Sequence, residues 1–322
     1  MLHHAPDRWP LVYIIVLTWN QKDLALDCLA SLAALDYPNF GVVLVDNGST
    51  DGTLSLVRSR YPAVIVIENR ENLGFAKANN TGMRHALTRG ADYLVLLNND
   101  TVVDPCFLTE LIGVAEAEPR IGIVGPKMYY YDQPDVIWCS GNAISWPSGV
   151  SVRLRAEQPD PEQKHEEPYS VDFITACALA VKREVIEQIG LLDPRFFIYY
   201  EEADWCLRAA KSGFEVVLVP ASRIWHKVSA AMGTTSPATD YYMNRNAFLF
   251  IARNRRGWAR LSSLAHAAGR QLLTIAAYTA KPDGGRRIPH RNARLLALRD
   301  AALGRWGKMG PDVAGICTRE RP

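Results

Sequence analysis

Short apolar runs alternate with amphipathic stretches through the first hundred residues. Residues 12–18, 42–46, 64–68 and 93–97 each hold four or more apolar positions in succession. Between them, residues 22–34 and 75–89 carry helical periodicity, with Leu24, Cys28, Leu29 and Leu32 on one face of the first. Uninterrupted apolar strands are what a parallel sheet covered by helices on both faces requires, because neither face of such a strand meets water. The rhythm therefore predicts an α/β, doubly wound, mostly parallel sheet. Asp104 followed by Pro105 reads as the start of the next helix, an N-cap with proline at the first helical position.

Beyond residues 121–124 the pattern changes. Strand-like pieces at 127–131, 136–140 and 171–182 are broken by a Pro- and Glu-rich stretch, 156–168, which reads as a mobile loop. Helices are predicted over 183–189, ending at Gly190, and from Tyr200 to Gly213, each glycine standing where a C-cap belongs. Strands at 216–219 and 223–225 then lead to His226. Residues 229–239, rich in Gly, Thr, Ser and Pro, divide the chain into a domain over 10–228, a flexible linker and a helical basic tail over 240–322.

Length and charge add to this division. A chain of 322 residues with 48% hydrophobic content buries a full core. Its net charge of +2 hides an asymmetry, since Arg253 onward holds 15 Lys/Arg against 4 Asp/Glu. A basic helical tail interleaved with leucine and aromatic residues suits an anionic membrane surface, and no nucleic acid is expected as partner. Residues 261–280 are interrupted by His266, Arg270 and Gln271, so they read as interfacial or packed, not spanning. Six cysteines without C-x-x-C spacing indicate neither a zinc site nor a disulfide framework and suit a reducing compartment. Residues 1–10 hold no apolar core of a secretory signal. The expected location is cytoplasmic, peripheral at the inner face of the membrane.

Candidate chemistry gathers where the apolar runs stop. The fourth run ends in Asn98-Asn99-Asp100-Thr101, a carboxylate at a carboxyl-terminal strand tip, where open α/β sheets keep their ligands. Asn-Asn-Asp also suits a turn. The second run ends in Val45-Asp46-Asn47-Gly48, and Asp46 there could accept from a pyrimidine N3–H or a ribose hydroxyl. Asp51 reads as a helix N-cap, and Thr18-Trp19-Asn20 at the first tip as either crevice wall or turn. Asn72-Leu73-Gly74-Phe75 opens a helix whose amides could face a phosphate or ribose. Neither G-x-G-x-x-G nor a P-loop occurs at a strand-to-helix junction, which argues against a dinucleotide or triphosphate site. Tyr199-Tyr200-Glu201-Glu202-Ala203-Asp204 crowds carboxylates among aromatic residues at a helix start. The helix dipole favours such placement, and a water-poor setting can make one of them a general base; the residue types leave Glu202 and Asp204 both open. His226 closes the last strand as a structural imidazole or a metal ligand.

Taken in order, Thr18-Trp19-Asn20, Val45-Asp46-Asn47-Gly48, Asn72-Leu73-Gly74-Phe75, Leu97-Asn98-Asn99-Asp100, Tyr200-Glu201-Glu202-Ala203-Asp204 and Trp225-His226 resemble the family 2 inverting glycosyltransferases. The likeness covers residues 10–254 and includes Tyr241-Tyr242-Met243-Asn244-Arg245-Asn246; it is strongest to bacterial rhamnosyltransferase-type and galactofuranosyltransferase-type members. It implies a GT-A fold and transfer, with inversion, of a rhamnose-like sugar from a nucleoside diphosphate donor. The implied acceptor is a hydroxyl of a glycan or lipid-linked molecule in cell-envelope polysaccharide synthesis. By the same resemblance Thr18, Asn20, Asp46, Asn72, Gly74 and Asn99 bind the nucleotide sugar. Asp100 and His226 hold a divalent cation, Mg²⁺ or Mn²⁺, and Glu202 is the base, with Asp204 the alternative. Two positions depart from the family's pattern: its D-x-D is here Asn98-Asn99-Asp100, and its Glu-Asp pair is Glu201-Glu202. A nucleotidyltransferase would share the sheet and the metal but needs a triphosphate loop that is absent after the first strand. A non-catalytic sugar-binding module of the same fold is the third reading.

Overall fold

The computed structural model describes residues 9–162, 166–228, 236–281 and 285–317. Strands β1 (Val12–Thr18), β2 (Phe40–Asp46), β3 (Ile65–Glu68) and β4 (Tyr93–Asn98) lie parallel in the order β3-β2-β1-β4. Helices α1 (Lys22–Leu32), α2 (Thr53–Arg60) and α3 (Gly74–Thr88) make the crossovers. Val12, Ile14, Ile15 and Val16 of β1, and Leu94, Val95 and Leu96 of β4, are wholly buried, as continuous apolar strands demand. Gly82 lets α3 lie close on the sheet, because a Cβ there would stand 2.7 Å from Ile15 and 2.8 Å from Val45 side chains.

The second half of the sheet is mixed. It comprises β5 (Thr101–Val103), α4 (Phe107–Ala117), β6 (Ile121–Tyr130), β7 (Ile137–Cys139), the hairpin β8 (Asn142–Ser145) and β9 (Val150–Arg153), β10 (Tyr169–Ser170), β11 (Ala178–Lys182), α5 (Arg183–Ile189), α6 (Glu201–Lys211) and β12 (Glu215–His226). β11 runs antiparallel between β4 and β6, and β12 runs parallel to β6, so the sheet reads β10-β12-β6-β11-β4-β1-β2-β3. The two strands expected at 216–219 and 223–225 are one strand, bent where its register slips between Val219 and Arg223. Of the expected strand at 171–182, only residues 178–182 pair as β11.

The stretch expected to be mobile is fixed at Asp160, whose buried carboxylate accepts from Lys127 Nζ at 2.9 Å and Tyr129 Oη at 3.0 Å; residues 163–165 lie outside the described residues. Helix α4 starts at Phe107, two residues beyond Pro105, because the Asp104 carboxylate accepts from the Cys106 N–H and from Arg223 in a turn before the helix.

At the C-terminal side stand α7 (Pro237–Asn254), α8 (Gly257–Ala280), α9 (Ile288–Ala302) and α10 (Pro311–Cys317). The linker expected at 229–239 falls partly outside the described residues, and its last part is the start of α7: Ser236 Oγ accepts from Thr239 N–H and Pro237 is the first helical residue. A separate tail from residue 240 is not what the packing gives. Tyr241 and Tyr242 form a small core with Ala293, Ala297 and Val313, against which Phe197, Ile198 and Tyr199 also pack. No described helix is long and apolar enough to cross a membrane.

Candidate active site

Parallel register places Thr18 opposite Asp46 and Leu17 opposite Asn98, so the tips of β1, β2 and β4 end side by side. The polar residues expected there are woven together. Asn20 donates its N–H to Ser49 Oγ at 2.6 Å and accepts the Thr50 N–H at 2.9 Å, tying the first tip to the second. Thr18 Oγ1 donates to the Asn20 carbonyl at 3.0 Å and accepts from Asn99 Nδ2 at 3.2 Å. Asp51 accepts from the N–H groups of Thr53 and Lys22, serving the starts of both α2 and α1. Asp46 differs from its neighbours. Its Oδ2 accepts the Gly48 and Ser49 N–H groups at 3.1 and 3.0 Å, while its Oδ1 is buried and has no partner.

Asn72 and Gly74, expected to contact the donor, build the turn into α3. Asn72 Oδ1 accepts from Asn47 Nδ2 at 3.0 Å and from the Gly74 N–H at 2.9 Å, which closes the turn into α3. Gly74 has φ +79°, and a Cβ there would stand 2.4 Å from the Phe197 ring. Glycine is thus required by a left-handed backbone and by an aromatic ring.

Two residues distant in sequence meet at the fourth tip. β5 runs antiparallel to β12 with Thr101 opposite His226, and the Lys227 N–H donates to the Asp100 carbonyl at 2.8 Å. This brings His226 Nε2 to 3.2 Å from Asp100 Oδ1, with the residues only 8% and 4% exposed. The two atoms are close but lack hydrogen-bond geometry, and Oδ1 has no other partner. Trp138 packs its ring edge-on to the imidazole at 4.5 Å.

The donor set fits a divalent cation. Neighbouring ligands at octahedral Mg²⁺ distances stand about 3 Å apart, and imidazole with carboxylate suits Mn²⁺ as well. Among the described residues no group of three or more His, Cys, Asp or Glu could hold a metal, so further ligands would have to be water and substrate phosphate.

The acidic cluster is entered through strained backbone. Phe197, Tyr199 and Tyr200 have φ of 65°, 72° and 75°, a region that costs a residue with a side chain about 1–3 kcal/mol. Surrounding groups hold it there. Phe75 and Ala76 N–H at the start of α3 donate to the Phe197 carbonyl, and Asn246 Nδ2 of α7 donates to the carbonyls of Phe196, Ile198 and Tyr199 at 2.8, 2.8 and 3.1 Å. Fully buried Arg245 adds bonds to the Phe196 carbonyl and to Asn246 Oδ1.

Beyond this segment, burial pushes Glu202 up to about 7, and burial together with the Glu202 charge raises Glu201 well above the carboxylate range. Each has an Oε2 shielded from water and without a partner. Asp204 points the other way. Its Oδ1 accepts from Arg253 Nε at 2.9 Å and Asn254 Nδ2 at 3.0 Å, and its Oδ2 from Arg208 Nε at 2.9 Å. Arg253 Nη2 also donates to Oδ2, at 3.4 Å, so the four acceptor sites of the carboxylate are taken, which corrects the expectation that Asp204 competes with Glu202 for the base role. Asn246 and Arg245 were legible only as part of a resembling segment; the available signal was a charged and an amide residue inside the apolar pattern of α7.

The model of glycosyl transferase family 2 matches residues 13–190. That span holds Asp46 and Asp100 and stops short of Glu202 and His226. Among curated proteins, the N-acetylglucosaminyl-diphospho-decaprenol L-rhamnosyltransferase of Mycobacterium tuberculosis is 27% identical over 268 residues, covering 77% of this chain and 86% of the relative. The dTDP-rhamnosyl transferase RfbF of Shigella flexneri is 26% identical over 257 residues, covering 76% and 80%. Among solved structures, a mannosyltransferase from Pyrobaculum calidifontis in complex with GDP-Man and Mn²⁺ superposes with a TM-score of 0.58 at 21% identity, covering 93% of this chain and 89% of that one. S. aureus TarS 1–349 in complex with UDP-GlcNAc gives 0.57 at 17% identity, covering 90% and 81%. The fold is that of the GT-A glycosyltransferases.

Proposed function

The chain belongs to glycosyl transferase family 2, and on that premise we propose that it transfers a rhamnose-like deoxyhexose, with inversion, from a nucleoside diphosphate to a hydroxyl of a lipid-linked acceptor. One observation carries the reading. Among the described residues, the buried carboxylate oxygens without a hydrogen-bond partner belong to Asp46, Asp100, Glu201 and Glu202 alone. Buried acceptors left unmatched are costly, so their concentration in the strand-tip and helix-start motifs supports a site that a ligand completes.

In this reading Asp46 Oδ1 takes the N3–H of a pyrimidine, and the Thr18, Asn20 and Asn99 network walls the nucleoside. Asp100 Oδ1 and His226 Nε2 hold a divalent cation; when bound, it offsets the charge that develops on the leaving diphosphate. Glu202 takes the proton of the acceptor hydroxyl as that oxygen attacks the anomeric carbon from the face opposite the diphosphate. A carboxyl near 7 suits a base working at neutral pH, being partly ionised and still basic enough to drive proton transfer. The Mycobacterium and Shigella relatives are both named for rhamnosyl transfer, the Shigella name favours dTDP-rhamnose as donor, and the Mycobacterium name favours a sugar-diphospho-polyprenol as acceptor.

The test is a thermal-shift screen of dTDP-, UDP- and GDP-sugars with and without Mn²⁺ or Mg²⁺. A donor at a hundred times its Kd stabilises the folded chain by about 2.7 kcal/mol. The expected result is a shift with dTDP-rhamnose that needs the cation and disappears in Asp46→Ala and in Asp100→Ala. No shift with any nucleotide sugar would overturn the proposal.

A further inference from the structure

The outward side of α8 is a surface that transfer chemistry does not use. Ser263, Ala267 and Gln271, four residues apart, are buried against the protein, and Gln271 bonds to Asn244 of α7. Around the helix from them, at spacings of three, four, seven and four, stand Trp258, Leu261, Ala265, Leu272 and Ala276, all exposed, with Leu273 beside them. Trp258 is 81% exposed and Leu273 73%. The solvent face of a surface helix is ordinarily polar. Here the side chains on that face are mainly apolar, with Ser262 and Thr279 the polar residues among them.

Charge identifies what would cover it. α8 contains no Asp or Glu; exposed Arg256 and Arg260 stand at its start, Arg270 on its flank and Lys281 just past its end. A second copy of this chain would bring those cations against their own kind. An anionic bilayer accepts both the Trp/Leu face and the cations. The helix is not long and apolar enough to span one.

We propose that α8 docks in the interfacial plane of a membrane containing anionic phospholipid, with Trp258, Leu261, Leu272 and Leu273 among the acyl chains and Arg256, Arg260 and Lys281 at the phosphates. α8 is tied to α7 through Gln271 and Asn244, and Asn246 of the same α7 holds the carbonyls of Phe196, Ile198 and Tyr199 just ahead of the acidic cluster, so α7 links the docking helix to the site. The transfer reading is deepened by this only in where a lipid-linked acceptor is met; docking itself does not rest on it.

The test uses the full chain in co-sedimentation with vesicles of equimolar phosphatidylglycerol and phosphatidylcholine, and with phosphatidylcholine alone. The expected preference for the anionic vesicles is about tenfold or more, reduced by salt. The double variant Leu272→Ser, Leu273→Ser should lose at least about tenfold of that binding, since it removes apolar surface that insertion would bury. It should leave turnover of a water-soluble acceptor unchanged, and sedimentation velocity should give one monomeric mass for both proteins. Equal binding by the variant, or equal binding to neutral vesicles, overturns the docking. A wild-type dimer that the same substitutions dissociate assigns the face to a second copy instead. Vesicle binding without transfer from any donor would leave docking standing and overturn the transfer reading.

Discussion

Replacing Glu202 by glutamine should stabilise the protein while ending its activity. In the folded chain burial holds this carboxyl near 7, against an ordinary value of 4.5. Between those values the unfolded chain releases its proton and the folded chain keeps it, so folding stability falls as pH rises through that window and stays reduced above it. The difference corresponds to about 3 kcal/mol. Glutamine keeps the shape of the protonated acid and has no proton to lose. Glu202→Gln should therefore match the wild type in urea unfolding at pH 4.5 and exceed it by up to about 3 kcal/mol at pH 8, with relief of the charge on Glu201 acting in the same direction. Donor affinity should be unchanged, and turnover should be lost for want of a base. Equal or lower stability of the variant at pH 8 would refute the claim that a water-poor setting keeps Glu202 basic.

Other substitutions separate chemistry from scaffold. Asp204→Asn should cost about 1–3 kcal/mol of stability, because it removes the charge that Arg208 and Arg253 share while leaving Arg253 its pair with Asp193 and Arg208 the Ile189 and Leu191 carbonyls; enzyme that stays folded should keep its kcat. Asp46→Asn should weaken the pyrimidine donor by about tenfold to a hundredfold in calorimetry, with little change in cation affinity. Asp100→Ala and His226→Ala should each abolish Mn²⁺ binding measured by electron paramagnetic resonance in the presence of nucleoside diphosphate, and undiminished binding by His226→Ala would remove the imidazole from the metal pair. Asn246→Ala should lower kcat with little effect on donor KM, because it releases the three carbonyls that hold the strained approach to Glu202.

Much of the sheet was legible because each parallel strand is an unbroken apolar run: the expected bounds of β1 and the carboxyl ends of β2 and β3 agree with the structure. The tips carrying Asp46 and Asp100 followed from the same signal, since a buried strand excludes carboxylates until it stops. Pairing was not legible. Antiparallel β11 inserts between β4 and β6, and only the β5–β12 ladder brings His226 to Asp100 across 126 positions of sequence. Side-chain direction escaped local reading too. Glu202 and Asp204 are two residues apart on one helix and point apart, and of the two arginines on Asp204 one, Arg253, lies in α7, a helix the sequence pattern assigned to a separate tail. At the start of α3 the pattern showed a helix N-terminus, but not that the Phe75 and Ala76 N–H groups would donate to the Phe197 carbonyl or that the Phe197 ring would pack on Gly74.

The central claim is that the strand tips and the start of α6 form one inverting transfer site with Glu202 as its base. Its most direct measurement is transfer of rhamnose from dTDP-rhamnose to a sugar-diphospho-polyprenol in the presence of Mg²⁺, with nuclear magnetic resonance of the new anomeric centre and donor binding measured on the same protein preparations. The expected result is an inverted linkage made by the wild type and none by Glu202→Gln, which still binds donor. A product that retains the donor's configuration, or undiminished transfer by the variant, would contradict it.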